Sequence, residues 1–151
     1  MDGNPIGVAE DPHDLARFVR AQQSVYDTAL AEIRHGRKRT HWMWYVFPQY
    51  VGLGFSATSK RYAIKSAAEA KAYLEHAVLG PRLIECAEAA VAVDARTAHD
   101  VFGSLDDLKL KSSATLFAAV APAGSVFDRL LDRYFAGERD ARTLALLAAE
   151  R

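Results

Sequence analysis

Residues 11–36 read DPHDLARFVRAQQSVYDTALAEIRHG. Within this stretch Leu15, Phe18, Val19, Gln22, Tyr26, Ala29, Leu30 and Ile33 recur at three-and-four spacing, the period of a helix with one apolar face. Asp11 is placed as N-cap, Pro12 at the first helical position and Gly36 as the stop. Unbroken, such a helix would run about 36 Å at 1.5 Å per residue. That approaches the width of the whole domain and leaves room for a break near Gln22 to Ser24.

Working outward, the same period continues. Ser66 and Glu69 have the spacing of a capping box for a helix ending near His76, and Gly80-Pro81 opens another with Leu83, Ala87, Ala90 and Val91 on one face. Thr97 and Asp100 cap a single turn ending at Gly103. Ser104 and Asp107 start a helix with an inward stripe of Leu108, Thr115, Leu116, Ala119 and Val120, ended by Pro122. Val126 to Phe135 form a further helix stopped by Gly137, and Asp140 caps a last one carrying Leu144 and Leu147. The reading is all-α: a compact single-domain helical globule of about six helices over 11–151, behind a flexible N-terminal tail at 1–10. Trp42 to Phe47, a bulky run ended by Pro48, is left open between strand and helix.

Composition agrees with one globular unit. The chain has 151 residues, half of them hydrophobic, and 19 basic against 19 acidic side chains. A net charge of zero supplies no whole-molecule field for steering nucleic acid or an anionic membrane, so such a role would need a local patch. The lone Cys86 excludes a disulfide framework and, with no signal peptide or membrane span legible, points to the cytoplasm. The five histidines show no metal-ligand spacing, so neither a metal nor a cofactor is expected.

Two segments stand out chemically. RHGRKRTHWMWYVFPQ, from Arg34 to Gln49, runs a basic cluster into aromatic residues, a mixture suited to phosphate and to stacking on a base or adenine ring. The plainer reading makes Arg34 to Arg39 the solvated end of a helix and the aromatics core. At least one of Trp42 and Trp44 is expected to line a groove or interface. His41, at the junction, has the imidazole for anion binding or proton transfer, and Glu32 is a candidate carboxylate whose default is solvent. In DDLKLKSSATLF, from Asp106 to Phe117, Lys109, Ser112 and Ser113 share a helical face and would offer an ammonium and two hydroxyls to a phosphate. Ordinary helix surface is the alternative. Asp106 and Asp107 read as caps. The loop GLGFSATS, Gly52 to Ser59, has the composition of a ligand cover without matching a phosphate-loop fingerprint.

These segments also carry a resemblance. DLARFVRAQ at Asp14, GRKRTHWMWYVFPQ at Gly36, GLG at Gly52, RYAI at Arg61, LGPRL at Leu79, FGSLDDLKLKSSATLF at Phe102 and DARTL at Asp140 resemble a bacterial domain-of-unknown-function family, number 1810. The resemblance implies a mainly helical single domain and supplies no activity. Some members carry the label calpastatin, which is rejected: that inhibitor resembles a disordered chain, whereas this composition and its capped helices describe a folded one.

The functional expectation is a small-molecule binder or enzyme whose cleft is walled by His41, Trp42, Trp44, Gln49, Lys109, Ser112 and Ser113. The ligand expected is phosphate-bearing, nucleotide-like or ADP-ribose-like. Were there chemistry, His41, Glu32 or Asp106 would be the acid or base. The alternatives are a module for protein or single-stranded nucleic acid using Arg34 to Arg39, or a homodimer burying the aromatic run. Nucleic acid is the less favoured partner, and no membrane partner is expected.

Overall fold

The apolar stripe of residues 11–36 faces the core throughout, but the chain divides it between two helices, α1 (Ala16–Gln22) and α2 (Tyr26–Arg34). The break falls at Gln23 to Val25, where Gln23 and Val25 donate back three residues instead of four. Gln22 explains its place. Its buried amide donates to the Tyr45 carbonyl (2.7 Å) and the Tyr73 hydroxyl (3.1 Å), pinning the end of α1 to two other elements. Asp11 does cap, its carboxylate accepting from the N–H groups of Leu15 and Ala16, so α1 begins later than Pro12.

The structure, a computed structural model, describes residues 10–150, so the tail expected at 1–10 lies outside the described residues except for Glu10. Among them are ten helices and no strand beyond one isolated bridge, which corrects the expectation of about six helices. The surplus comes from the divided first helix and from short pieces without sustained periodicity. Met43–Val46 is a single turn, α3, which makes the middle of the Trp42 to Phe47 run helical, and Ala57–Arg61 forms α4 inside the glycine-containing loop. The remaining elements are α5 (Ala67–Glu75), α6 (Leu79–Val91), α7 (Ala98–Phe102), α8 (Asp106–Val120), α9 (Val126–Phe135) and α10 (Ala141–Ala148). No helix among the described residues is long and apolar enough to cross a membrane.

Helix α8 is the central one, packed by α5, α7, α9 and α10. Its middle is buried on every side from Ser112 to Phe117, as expected of a helix without a solvent face. The inward stripe is therefore corrected: Leu108 and Ala119 point to solvent, while Leu110, Ser113, Ala114 and Phe117 join Thr115 and Leu116 inside. A row of aromatic contacts ties the core together, from Phe18 to Tyr73 (5.1 Å), Tyr73 to Phe117 (5.3 Å) and Phe117 to Phe127 (5.6 Å), joining α1, α5, α8 and α9. Such pairs add roughly 0.5–1.5 kcal/mol each beyond area burial.

Two caps form as read: the Thr97–Asp100 box on α7 and Asp140 on α10. Two do not. Ser66 caps α5, but the Glu69 carboxylate accepts from Lys65 N–H and from the Arg17 guanidinium instead of the N-cap N–H. Ser104 does not cap α8, which is entered from Leu105 at φ +70°, ψ −43°.

Candidate functional site

Glu32 organises the basic segment. Its carboxylate accepts from the N–H groups of Arg39 (2.8 Å) and Thr40 (3.0 Å), the Thr40 hydroxyl (2.8 Å) and the Trp42 indole (2.8 Å). Burial pushes this carboxyl up, but the four donors outweigh it and hold it down at about 2. The loop is thereby folded back on the end of α2, and its side chains divide. Lys38 turns inward, over the Trp42 ring and onto Asp106 (2.8 Å), while Arg37 and Arg39 stay exposed on a separate groove.

Asp106 stands between two ammonium groups, Lys38 and Lys109 (3.2 Å). Lys109 in turn lies 5.2 Å from the centre of the Trp44 ring. The indole N–H of Trp44 is buried and has no hydrogen-bond partner. Trp44 and Lys109 meet at the floor of a hollow between the start of α8 and the loop at 49–62. Its inner part, lined by Trp44, Phe47, Gln49, Tyr50, Ser59 and Lys109, has room for about one water. Gln49, Gly54 and Lys109 also line the outer part, about 940 Å³ counting its open mouth, where Phe55, Leu105, Leu108, Ser112 and Arg142 form the walls.

The loop wall is anchored. Its ends are joined by two backbone bonds of 2.8 Å, Val51 to Ile64 and Ile64 to Gln49. The buried Arg17 guanidinium also holds the Arg61 and Ala63 carbonyls and pairs with Glu69. Gly54 is required where it stands, because a Cβ there would lie 2.5 Å from that of Ser59.

Four of the residues singled out in the sequence therefore border one hollow: Trp44, Gln49, Lys109 and Ser112. Three do not. Trp42 is fully buried, with Glu32 taking its indole N–H; Ser113 is buried in the core with an unpartnered hydroxyl; His41 is exposed and borders neither part of the hollow. Helical geometry accounts for the first two, since a single turn sends side chains two positions apart to different sides, and α8 is wrapped by other helices at Ser113. Ser112 bonds the Leu108 carbonyl one turn back (3.2 Å), so only part of its hydrogen-bonding capacity is free.

Sequence reasoning named the Gly52 to Ser59 loop as a ligand cover without singling out Phe55, and missed Leu105, Leu108 and Arg142. Leu108 looked like core by its spacing. Phe55, a large apolar residue inside a glycine and serine loop, was the available signal, for it is 78% exposed. Among the described residues no group of three or more His, Cys, Asp or Glu side chains converges as a metal site.

Comparison with known proteins matches residues 12–147 to the family model described as protein of unknown function, DUF1810. The chain belongs to this family. Among solved structures, the chain is similar to the conserved hypothetical protein Rv1873 from Mycobacterium tuberculosis. Identity is 53% and the TM-score 0.91, over 93% of this chain and 100% of that one. No curated protein matches. Family membership and the solved relative together support the helical fold and supply no activity, so a functional reading rests on the geometry of the hollow.

Proposed function

We propose that the hollow between α8 and the loop at 49–62 binds a small phosphate-bearing molecule, nucleotide-like or ADP-ribose-like in having an anionic group joined to a flat or apolar body. The observation that carries the reading is the buried, unpartnered indole N–H of Trp44, together with the Lys109 ammonium 5.2 Å from the centre of that ring. A buried donor without an acceptor costs about 1–3 kcal/mol, and a ligand oxygen seated there would remove that cost while meeting a cation. Charge supports the same group. Lys109 and Arg142 line the hollow against Asp140, leaving one positive charge in excess.

The apolar walls then receive the body of the ligand. Lys109 already occupies a face of Trp44, so stacking falls to Phe55, with Leu105 and Leu108 beside it. Binding is favoured over catalysis because Asp140 at the hollow and the candidate carboxylates Asp106 and Glu32 are all committed. Asp106 bridges two lysines, Asp140 caps α10, and Glu32 is fixed by four donors.

A thermal-shift screen of nucleotides and sugar phosphates tests the proposal. A ligand should raise the melting temperature of the wild-type protein, and Lys109→Ala should abolish that rise with its own unliganded melt nearly unchanged. A rise that survives Lys109→Ala removes Lys109 from the site. A second reading, self-association, is favoured by the exposure of Phe55 (78%), Leu105 (67%) and Leu108 (60%) around one mouth. Light scattering that showed a dimer lost in Phe55→Ser would support it instead.

A further inference from the structure

We infer that the groove between the end of α2 and the Arg96 turn is a second, separate anion site, one that takes an oligophosphate through Arg37, Arg39 and Arg96. The groove encloses about 1000 Å³ with its open side and is lined by these arginines, His35, Thr28, Ala31 and Glu32. It shares no lining residue with the hollow at Trp44.

Its charges are unusually free. Among the described residues, Arg34 is paired with Glu85, whereas Arg37, Arg39 and Arg96 form no ion pair. The carboxylate inside the groove, Glu32, is occupied by donors from residues 39, 40 and 42. Asp100, close enough to Arg96 to feel its charge, has an oxygen taken by the Thr97 N–H. Three guanidinium groups against one lining carboxylate leave an excess of two positive charges, and guanidinium forks match phosphate oxygens two at a time. Three forks along a groove of about 1000 Å³ offer more donors and more room than one phosphate needs, so the fit is better to linked phosphates.

The fold positions two of the three through Glu32, whose bonds set the path of residues 39 and 40, and through Lys38 N–H, which donates to the Val101 carbonyl (2.6 Å). Arg96 packs across Gly36, whose φ of +75° turns the chain out of α2; a Cβ there would lie 3.1 Å from the Arg96 Nε. Nothing aromatic apart from His35 lines the groove. Single-stranded nucleic acid, which gains much of its affinity by stacking bases on aromatic rings, is therefore the weaker fit, and linked phosphates without bases the better one.

Calorimetric titration with inorganic tripolyphosphate, orthophosphate and a single-stranded oligonucleotide at pH 7.5 tests this. Tripolyphosphate should bind more tightly than orthophosphate and weaken with added salt. Arg37→Gln, Arg39→Gln and Arg96→Gln should each weaken it about tenfold, the loss expected for a charge-assisted contact. Arg96→Lys should recover only part of the affinity. Since these side chains are exposed, each variant should melt as the wild type does, and Lys71→Gln, which removes an exposed cation of α5 outside both sites, should bind tripolyphosphate unchanged. Equal loss of binding in Lys71→Gln, full binding in the triple glutamine variant, no heat from tripolyphosphate at low salt, or binding of the oligonucleotide alone would each overturn the inference. Failure of the nucleotide screen at the Trp44 hollow has no bearing on these outcomes.

Discussion

Glu32 lies in the last turn of α2, where its default is a solvated carboxylate, yet it holds four donors and fixes the loop that follows. Glu32→Ala should cost about 3–5 kcal/mol, because the backbone and indole donors it leaves are buried or half-buried without acceptors. Glu32→Gln keeps one oxygen for three of them and should cost less than half as much; denaturant melts compare the two. The same group sets an acid limit. Its folded value of about 2, against 4.5 for the free group, means that the unfolded chain binds the extra proton first. Stability from Glu32 is complete above about pH 4.5 and drains away as pH falls toward 2. Glu32→Gln should lack this part of the acid loss, and a melt series across that window would contradict the assignment if both proteins declined in parallel. Leu105 carries strain of another kind. At φ +70°, ψ −43° and 67% exposed, it sits in backbone space unfavourable to a branched side chain and gains little burial in return. Leu105→Gly should stabilise the fold by about 1 kcal/mol while weakening ligand retention at the mouth of the hollow. A lower denaturation midpoint would show that the leucine is held there by packing.

At the scale of elements, legibility followed how much each helix depends on its own period. Helices α1, α2, α6 and α9 show one apolar face, and their stripes could be read directly. Helix α8 could not be read face by face, because neighbours cover it on all sides and its small residues, Ser112, Ser113 and Ala114, mark contact rather than solvent. The same misreading put Ser113 in the candidate site. Short helices α3 and α4 have too few residues for a period to show, and Gln22 ends α1 through bonds to residues 23 and 51 positions away that no local pattern encodes. Gly80 shows the reverse case, a local residue serving a distant contact. A Cβ there would lie 2.0 Å from the Leu74 carbonyl oxygen, so α5 and α6 can meet only over a glycine. Gly80→Ala should destabilise by roughly 2–4 kcal/mol, as overpacking against backbone does, measured by the shift in denaturation midpoint; a shift below about 0.5 kcal/mol, within the range of an ordinary surface change, would mean that the two helices separate freely.

For the molecule as a whole, a net charge of zero conceals a division of cations between two places. Lys38 and Lys109 gather round Asp106, with Lys109 lining the Trp44 hollow, and Arg37, Arg39 and Arg96 line the groove on α2. In sequence these form one basic run and two distant residues, Arg96 and Lys109; the alternation of residues 37 to 39 about the Glu32 bonds divides the run between the two places. The meeting of Trp44 with Lys109, some sixty-five residues apart, was an expectation from residue chemistry alone, and only tertiary packing could join them. The chain has two tryptophans, and they differ in place, which allows a direct test of the hollow. Emission should change on addition of a ligand found by the thermal screen. The change should persist in Trp42→Phe and vanish in Trp44→Phe. A response that persists in Trp44→Phe, or that disappears only in Trp42→Phe, would contradict a ligand site at Trp44.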